Sequence, residues 1–166
     1  MVPCYFGIDP GKHGAIALID QEGAVVQSCP LTISGEYDIQ EMINLIRGWT
    51  LGQNTVLGIE NVHAMPFQGV VSMFTMGYGL GLWHGILRAE GIVPIIVQPK
   101  EWREYHNVTV KVPRGSTKKI KEAAKKYRKE LSLSTARALY PKSDIKTVDQ
   151  AEAILIALYV KHKTSR

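Results

Sequence analysis

The sequence predicts a single mixed α/β domain: a five-stranded sheet whose first three strands form an antiparallel meander, with helices packed on it. Three observations carry this. The N-terminal residues hold three short apolar runs, CYFGID (4–9), GAIALID (14–20) and AVVQSC (24–29), separated by Pro10-Gly11 and Gln21-Glu22-Gly23. Two further runs, TVLGIENV (55–62) and IVPIIVQP (92–99), each follow a helical segment, so the order is βββαβαβ with helices after it. The length of 166 residues, 45% hydrophobic and 21% charged, suits one globular domain with a real core.

The helices follow from periodicity. Ile39, Met42, Ile43 and Ile46 recur at helical spacing, which places an amphipathic helix over 38–49. A Pro-Gly loop at 63–69 leads into an apolar helix near 70–90. Val70–Leu87 contains no Asp, Glu, Lys or Arg, but it is 18 residues long and carries four glycines. A membrane span needs ~20 predominantly apolar residues, so a buried helix is expected here, and no membrane partner. Gly77, Gly81 and Gly85 recur every four residues as one bare stripe, suited to tight packing on the sheet or to a subunit interface. Pro99 opens a short helix, KEWREY; residues 106–117 are irregular. A basic helix is expected over 117–130, a separate short helix over 133–140 ending at Pro141, and a last helix over 148–162.

Charge is concentrated. The net charge is +5, yet Lys111–Glu130 alone carries +7 and the remainder −2. Such a block suits a phosphate backbone, whose counterions are released on binding; a solvated helix face is the plainer alternative. Two cysteines, Cys4 and Cys29, give neither a disulfide framework nor a metal motif, so a reduced, intracellular setting is expected. The first residues lack the basic and apolar regions of a secretory signal. No P-loop is present.

Four acids invite a chemical reading. Asp9 ends the first strand and Glu60 stands near the end of TVLGIEN, each the only acid in an apolar run. A carboxylate at the end of a buried strand is costly without a partner, although Asp before Pro-Gly is also an ordinary turn residue. Asp149 and Glu152 sit three apart at the start of TVDQAEAILIALY, on one face of a helix opened by a Thr147/Gln150 capping box. Acids there also favour the helix dipole. If the two strands are neighbours and the helix packs on them, the four carboxylates make a hard-oxygen site for Mg²⁺ or Mn²⁺. Two ions roughly 3.5–4 Å apart would serve phosphodiester hydrolysis.

FGIDPG, LGIEN and a late DQAEAILIAL helix resemble the RuvC family of Holliday junction resolvases. SMFTMGYGLGLWHGIL followed by VQPKEW is similar to the compact phage and plant-organelle branch of that family. The resemblance spans residues 5–160. It implies an RNase H-like fold with helices on both faces of the sheet. It also implies a homodimer that nicks four-way DNA junctions symmetrically with about two Mg²⁺ or Mn²⁺ ions per site. Carried over, Asp9, Glu60, Asp149 and Glu152 are the catalytic and metal-binding acids; Glu152 replaces the Asp of the classical enzymes. Lys118, Lys119 and Lys121 are the nearest DNA-contacting matches, with Lys100 a weaker one. Arg114 and Lys125 extend the same basic segment. The classical base-wedging Phe has no equivalent: His63 takes about that place, and Phe67 follows. An intracellular location is implied, cytoplasmic or nucleoid-associated in a cell or phage-infected host, or organellar.

Phe67 and Tyr105, in or beside loops, are candidates for base stacking; Trp49, Trp83 and Trp102 read as core. Lys12 and His13 follow Asp9 and either face a phosphate or cover the turn. Competing readings are a broader branched-DNA or flap nuclease and a non-catalytic junction binder on the same fold. An actin-like ATPase shares a GIDxG hairpin but needs two such domains.

Overall fold

A computed structural model describes residues 3–11, 13–20, 25–30, 32–33, 36–50, 54–63 and 69–165, with the backbone alone for 25–30 and 32–33. Strands β1 (Pro3–Asp9), β2 (Ala15–Ile19) and β3 (Val25–Pro30) form the antiparallel meander. β4 (Thr32–Ile33) and β5 (Glu36–Tyr37) make a small separate ladder that the sequence did not signal. Helix α1 (Ile39–Thr50) begins at Asp38, whose Oδ1 accepts the Glu41 N–H at 2.9 Å. β6 (Asn54–Glu60) then pairs parallel with β1, and β7 (Ile95–Val97) parallel with β6. The sheet order is β3-β2-β1-β6-β7.

Alternation along the strands builds two cores. Phe6, Ile8, Ile16 and Leu18 face α1 and α2 (Val70–Ala89). Tyr5, Ala15, Ala17 and Ile19, one residue out of phase, face α5 (Val148–Thr164) with parts of α3 (Pro99–Tyr105) and α4 (Lys118–Leu139). Helices therefore cover both faces of the sheet. α5 lies almost on the strands: a Cβ added at Gly7 of β1 would stand 2.0 Å from the Ala153 carbonyl oxygen and 2.4 Å from the Ala157 nitrogen. Only glycine permits that approach. Seven consecutive α5 residues, Ala151–Ala157, are buried; all but Glu152 are small or aliphatic.

Four expectations are corrected. The two helices expected over 117–140 are one, α4, of 22 residues. No Gly or Pro interrupts LSLSTARAL, and its Leu, Ala and Arg residues propagate the helix. β7 is three residues long rather than eight, since Gly91 with φ 73° and Pro94 keep the preceding chain out of the ladder. α2 is not a buried helix: Gly79, Trp83, Ile86 and Leu87 are buried, while Val70, Val71, Phe74 and Tyr78 are exposed, Phe74 by 74%. By length and composition α2 could cross a membrane; here it lays one stripe on the sheet and leaves the other outside. The glycine stripe lies on that outer side, so it does not pack on the sheet. A Cβ at Gly77, Gly81 or Gly85 would meet nothing, whereas one at Gly79 would collide with Tyr37 and the Pro10 carbonyl.

Candidate active site

Strand register assembles the first half of the site. Ile8 pairs with Ile59 in the parallel β1–β6 ladder, so Asp9 and Glu60 stand side by side one residue further on. Parity puts both on the α5 face, in phase with Gly7 and Gly58. A ligand crevice at the carboxyl ends of neighbouring parallel strands is the general location in α/β sheets. The second half comes from α5. Thr147 and Gln150 form the expected capping box, with Thr147 Oγ1 accepting the Gln150 N–H at 3.1 Å and Gln150 Oε1 accepting the Thr147 N–H at 3.1 Å. This fixes where α5 starts. The close approach at Gly7 then brings Asp149 and Glu152 over the strand ends.

Asp9, Glu60 and Glu152 are each less than a tenth exposed. Burial pushes the Asp9 carboxyl well above the usual range; Glu60, Glu152 and Asp149 add to the rise, opposed by the Gly11 N–H at 3.2 Å from Oδ1. Burial also raises Glu152, opposed by Arg128; Glu60 adds to the rise, and Arg103 and Lys129 act with Arg128. Asp9, Asp149 and Glu152 line one cavity, and Glu60 stands beside Asp9 at the end of the neighbouring strand.

Asp9, Glu60 and Glu152 nevertheless accept hydrogen bonds from the protein, and Asp149 has a lysine ammonium nearby. Ser132 Oγ of α4, itself wholly buried, reaches Glu152 Oε1 at 3.4 Å. Lys129 Nζ stands 3.9 Å from Asp149 Oδ1. Glu60 Oε1 accepts from Trp102 Nε1 at 2.9 Å and from Arg103 Nη2 at 3.0 Å. Among the described residues, no three His, Cys, Asp or Glu side chains form a ready-made metal cage. The donor chemistry does fit a hard divalent cation: the candidate ligands are all carboxylates, three of them buried.

A cavity of about 980 Å³ opens over this cluster, lined by Asp9, His13, Asp149 and Glu152, by Lys125 and Lys129 of α4, and by α2 residues including Ser72 and Thr75. Glu60 is not among the described lining residues; it stands behind them.

The expected phosphate-binding residues divide. Lys125 reaches the cavity. Lys118 and Lys121 precede it by seven and four residues on the same helical stripe, which runs on to Ser132. Lys119 lies off that stripe. From Lys118 to Tyr127 α4 is exposed apart from half-buried Ala124, so the helix projects from the domain. Arg114 is exposed in the loop before α4, and Lys100 is exposed on α3 with Nζ 3.7 Å from Glu104. His63 is exposed just past Glu60. Tyr105 is half exposed but already stacked on His162, with ring centroids 4.4 Å apart. Trp83 and Trp102 are buried and Trp49 packs beside Phe6. Phe67 and Lys12 lie outside the described residues.

Trp102, Arg103, Arg128, Lys129 and Ser132 were not singled out as site residues from the sequence. The signal available for Arg103 was its place: a cation on the helix that follows the strand beside Glu60.

No family model matches the chain, and no curated protein sequence matches it. Solved structures do. The chain is similar to Thermus thermophilus RuvC, both alone and in complex with a Holliday junction substrate. In each case the TM-score is 0.61 at 16% identity, covering 99% of this chain and 96% of that one. The likeness shows the fold: this chain has the same α/β fold as that protein.

Proposed function

We propose that this protein is a divalent-cation-dependent endodeoxyribonuclease that resolves four-way DNA junctions by paired nicks. The observation that carries the reading is the convergence of Asp9, Glu60, Asp149 and Glu152 from β1, β6 and α5 beside the exposed basic stripe of α4, on a RuvC-like fold. Binding alone gains nothing from buried acids facing phosphates, which favours catalysis over a binding module.

Asp9, Asp149 and Glu152, with Glu60 behind, would hold Mg²⁺ or Mn²⁺, and the bound ions would supply an acidified water and neutralise charge on the leaving oxygen. The chain's own residues do the rest. Lys118, Lys121 and Lys125 attract and align the phosphate backbone. Ser132 and Lys129 orient Glu152 and Asp149, and the apolar layer of α5 beneath keeps bulk water from the buried side.

A homodimer belongs to this reading, since two nicks related by symmetry need two sites related by symmetry. The outer stripe of α2 is the face for it. Val70, Phe74 and Tyr78 are exposed, Gly77, Gly81 and Gly85 are open, and Tyr78, Gly81, Leu82, Gly85 and Ile86 line an apolar depression of about 410 Å³. This same α2 sequence supports the compact phage and organelle branch.

The test is cleavage of synthetic four-way junctions, flaps and duplexes with Mg²⁺, beside Asp9→Asn. Paired nicks in junctions, absent in Asp9→Asn, are expected. Equal cutting of flaps makes the protein a general branched-DNA nuclease. Junction binding with no nicking under any divalent ion leaves a binder and ends the enzyme reading.

A further inference from the structure

We propose that Trp102 and Arg103 form a two-donor clamp that positions Glu60 for the divalent cation, an inference that rests on the metal-dependent reading of the site. Trp102 Nε1 and Arg103 Nη2 donate to the same oxygen, Oε1, at 2.9 and 3.0 Å. Among the described residues none donates to Oε2. Adjacent helical residues point about 100° apart, so two of them meeting on one atom is a specific placement of α3.

That placement is built in. β7 pairs with β6 at Glu60–Val97, the Asn61 N–H donates to the Val97 carbonyl at 2.8 Å, and α3 starts two residues later behind a Gln98/Glu101 capping box. Trp102 is wholly buried, and the Arg103 guanidinium lies 4.9 Å from the centre of its ring.

The geometry distinguishes a clamp from plain neutralisation. An arginine that serves only to balance a buried carboxylate favours the two-pronged fork over both oxygens. Arg103 contacts one oxygen with one nitrogen, and its Nε is buried without a partner among the described residues. The pair therefore commits Oε1 and leaves Oε2 for a hard cation. Trp102 and Arg103 act through Glu60 and are positioning residues; groups of this kind hold metal ligands in orientation.

Mn²⁺ binding to the full chain without DNA, followed by electron paramagnetic resonance, tests this on Trp102→Phe, Arg103→Lys and Arg103→Gln. Each is expected to weaken Mn²⁺ binding by about ten- to a hundredfold. The half-saturating Mg²⁺ for nicking should rise by a similar factor. Junction affinity in EDTA should stay near wild type, which general structural damage would not allow. Unchanged Mn²⁺ affinity in the folded variants overturns the clamp. So does tighter binding, which would make Arg103 a competitor of the cation. If Trp102→Phe does not fold, the Arg103 variants decide. Wild type that binds no Mn²⁺ overturns the metal reading and the clamp with it; wild type that binds, with variants that bind equally, overturns the clamp alone.

Discussion

Asp9 shows how one side chain is made expensive. It is buried among other acids, and its raised pKa means that, at pH values between the unfolded and folded pKa, the folded chain holds a proton the unfolded chain releases. Glu152 behaves the same way. Stability from these groups is fully present below the unfolded carboxylate range, about pH 4, and is lost as pH rises towards their raised folded values. In EDTA, thermal unfolding should therefore occur at lower temperature at pH 8 than at pH 5. Asp9→Asn should flatten that slope and raise the melting temperature at pH 8, while reducing nicking on the order of a thousandfold. A melting temperature that rises from pH 5 to pH 8 would refute the electrostatic account. Gly7 is costly in the opposite way. Gly7→Ala forces a methyl into the α5 backbone, which cannot step aside as a side chain would; a loss of about 3 kcal/mol is expected by urea unfolding.

At the scale of elements, α4 and α2 were read differently from sequence and structure, for one shared reason. Periodicity reports a pattern along a helix, not what stands opposite it. The lysines of α4 announced an exposed basic helix, and the chain exposes it. The continuity of α4 to Leu139 was not legible in the charge pattern, and buried Ser132 turns towards Glu152. Lys118→Ala with Lys121→Ala should weaken junction binding and reduce its salt slope by about 1 for each phosphate no longer neutralised. An unchanged slope would remove the stripe from the DNA interface. α2 is apolar all round, so its sequence could not tell which side meets the sheet. The outer side should pair two chains: mass measurement at micromolar concentration is expected to give a dimer, and Phe74→Asp a monomer that binds junctions poorly. A wild-type monomer, with and without junction, would dismiss this face.

For the whole molecule, the succession of strands along the chain and the antiparallel meander were legible because short apolar runs and turn residues state them locally; helices on both faces of the sheet were implied only by the family resemblance. The four acids were legible as anomalies, each a charge where burial was expected. Their meeting was not legible. It depends on the parallel register of β1 and β6, on the face that residue parity assigns to Asp9 and Glu60, and on an approach of α5 that a missing Cβ at Gly7 allows. None of these is a property of any single segment. The donors that restrain the acids, Trp102, Arg103 and Ser132, lie 42, 43 and 20 residues from their carboxylates. Sequence alone determined which residues were chemically out of place and which helix carried the charge, because composition and periodicity are local. Only the tertiary structure decided which acids share a cavity and which donors hold them, because long-range register and backbone packing set those distances.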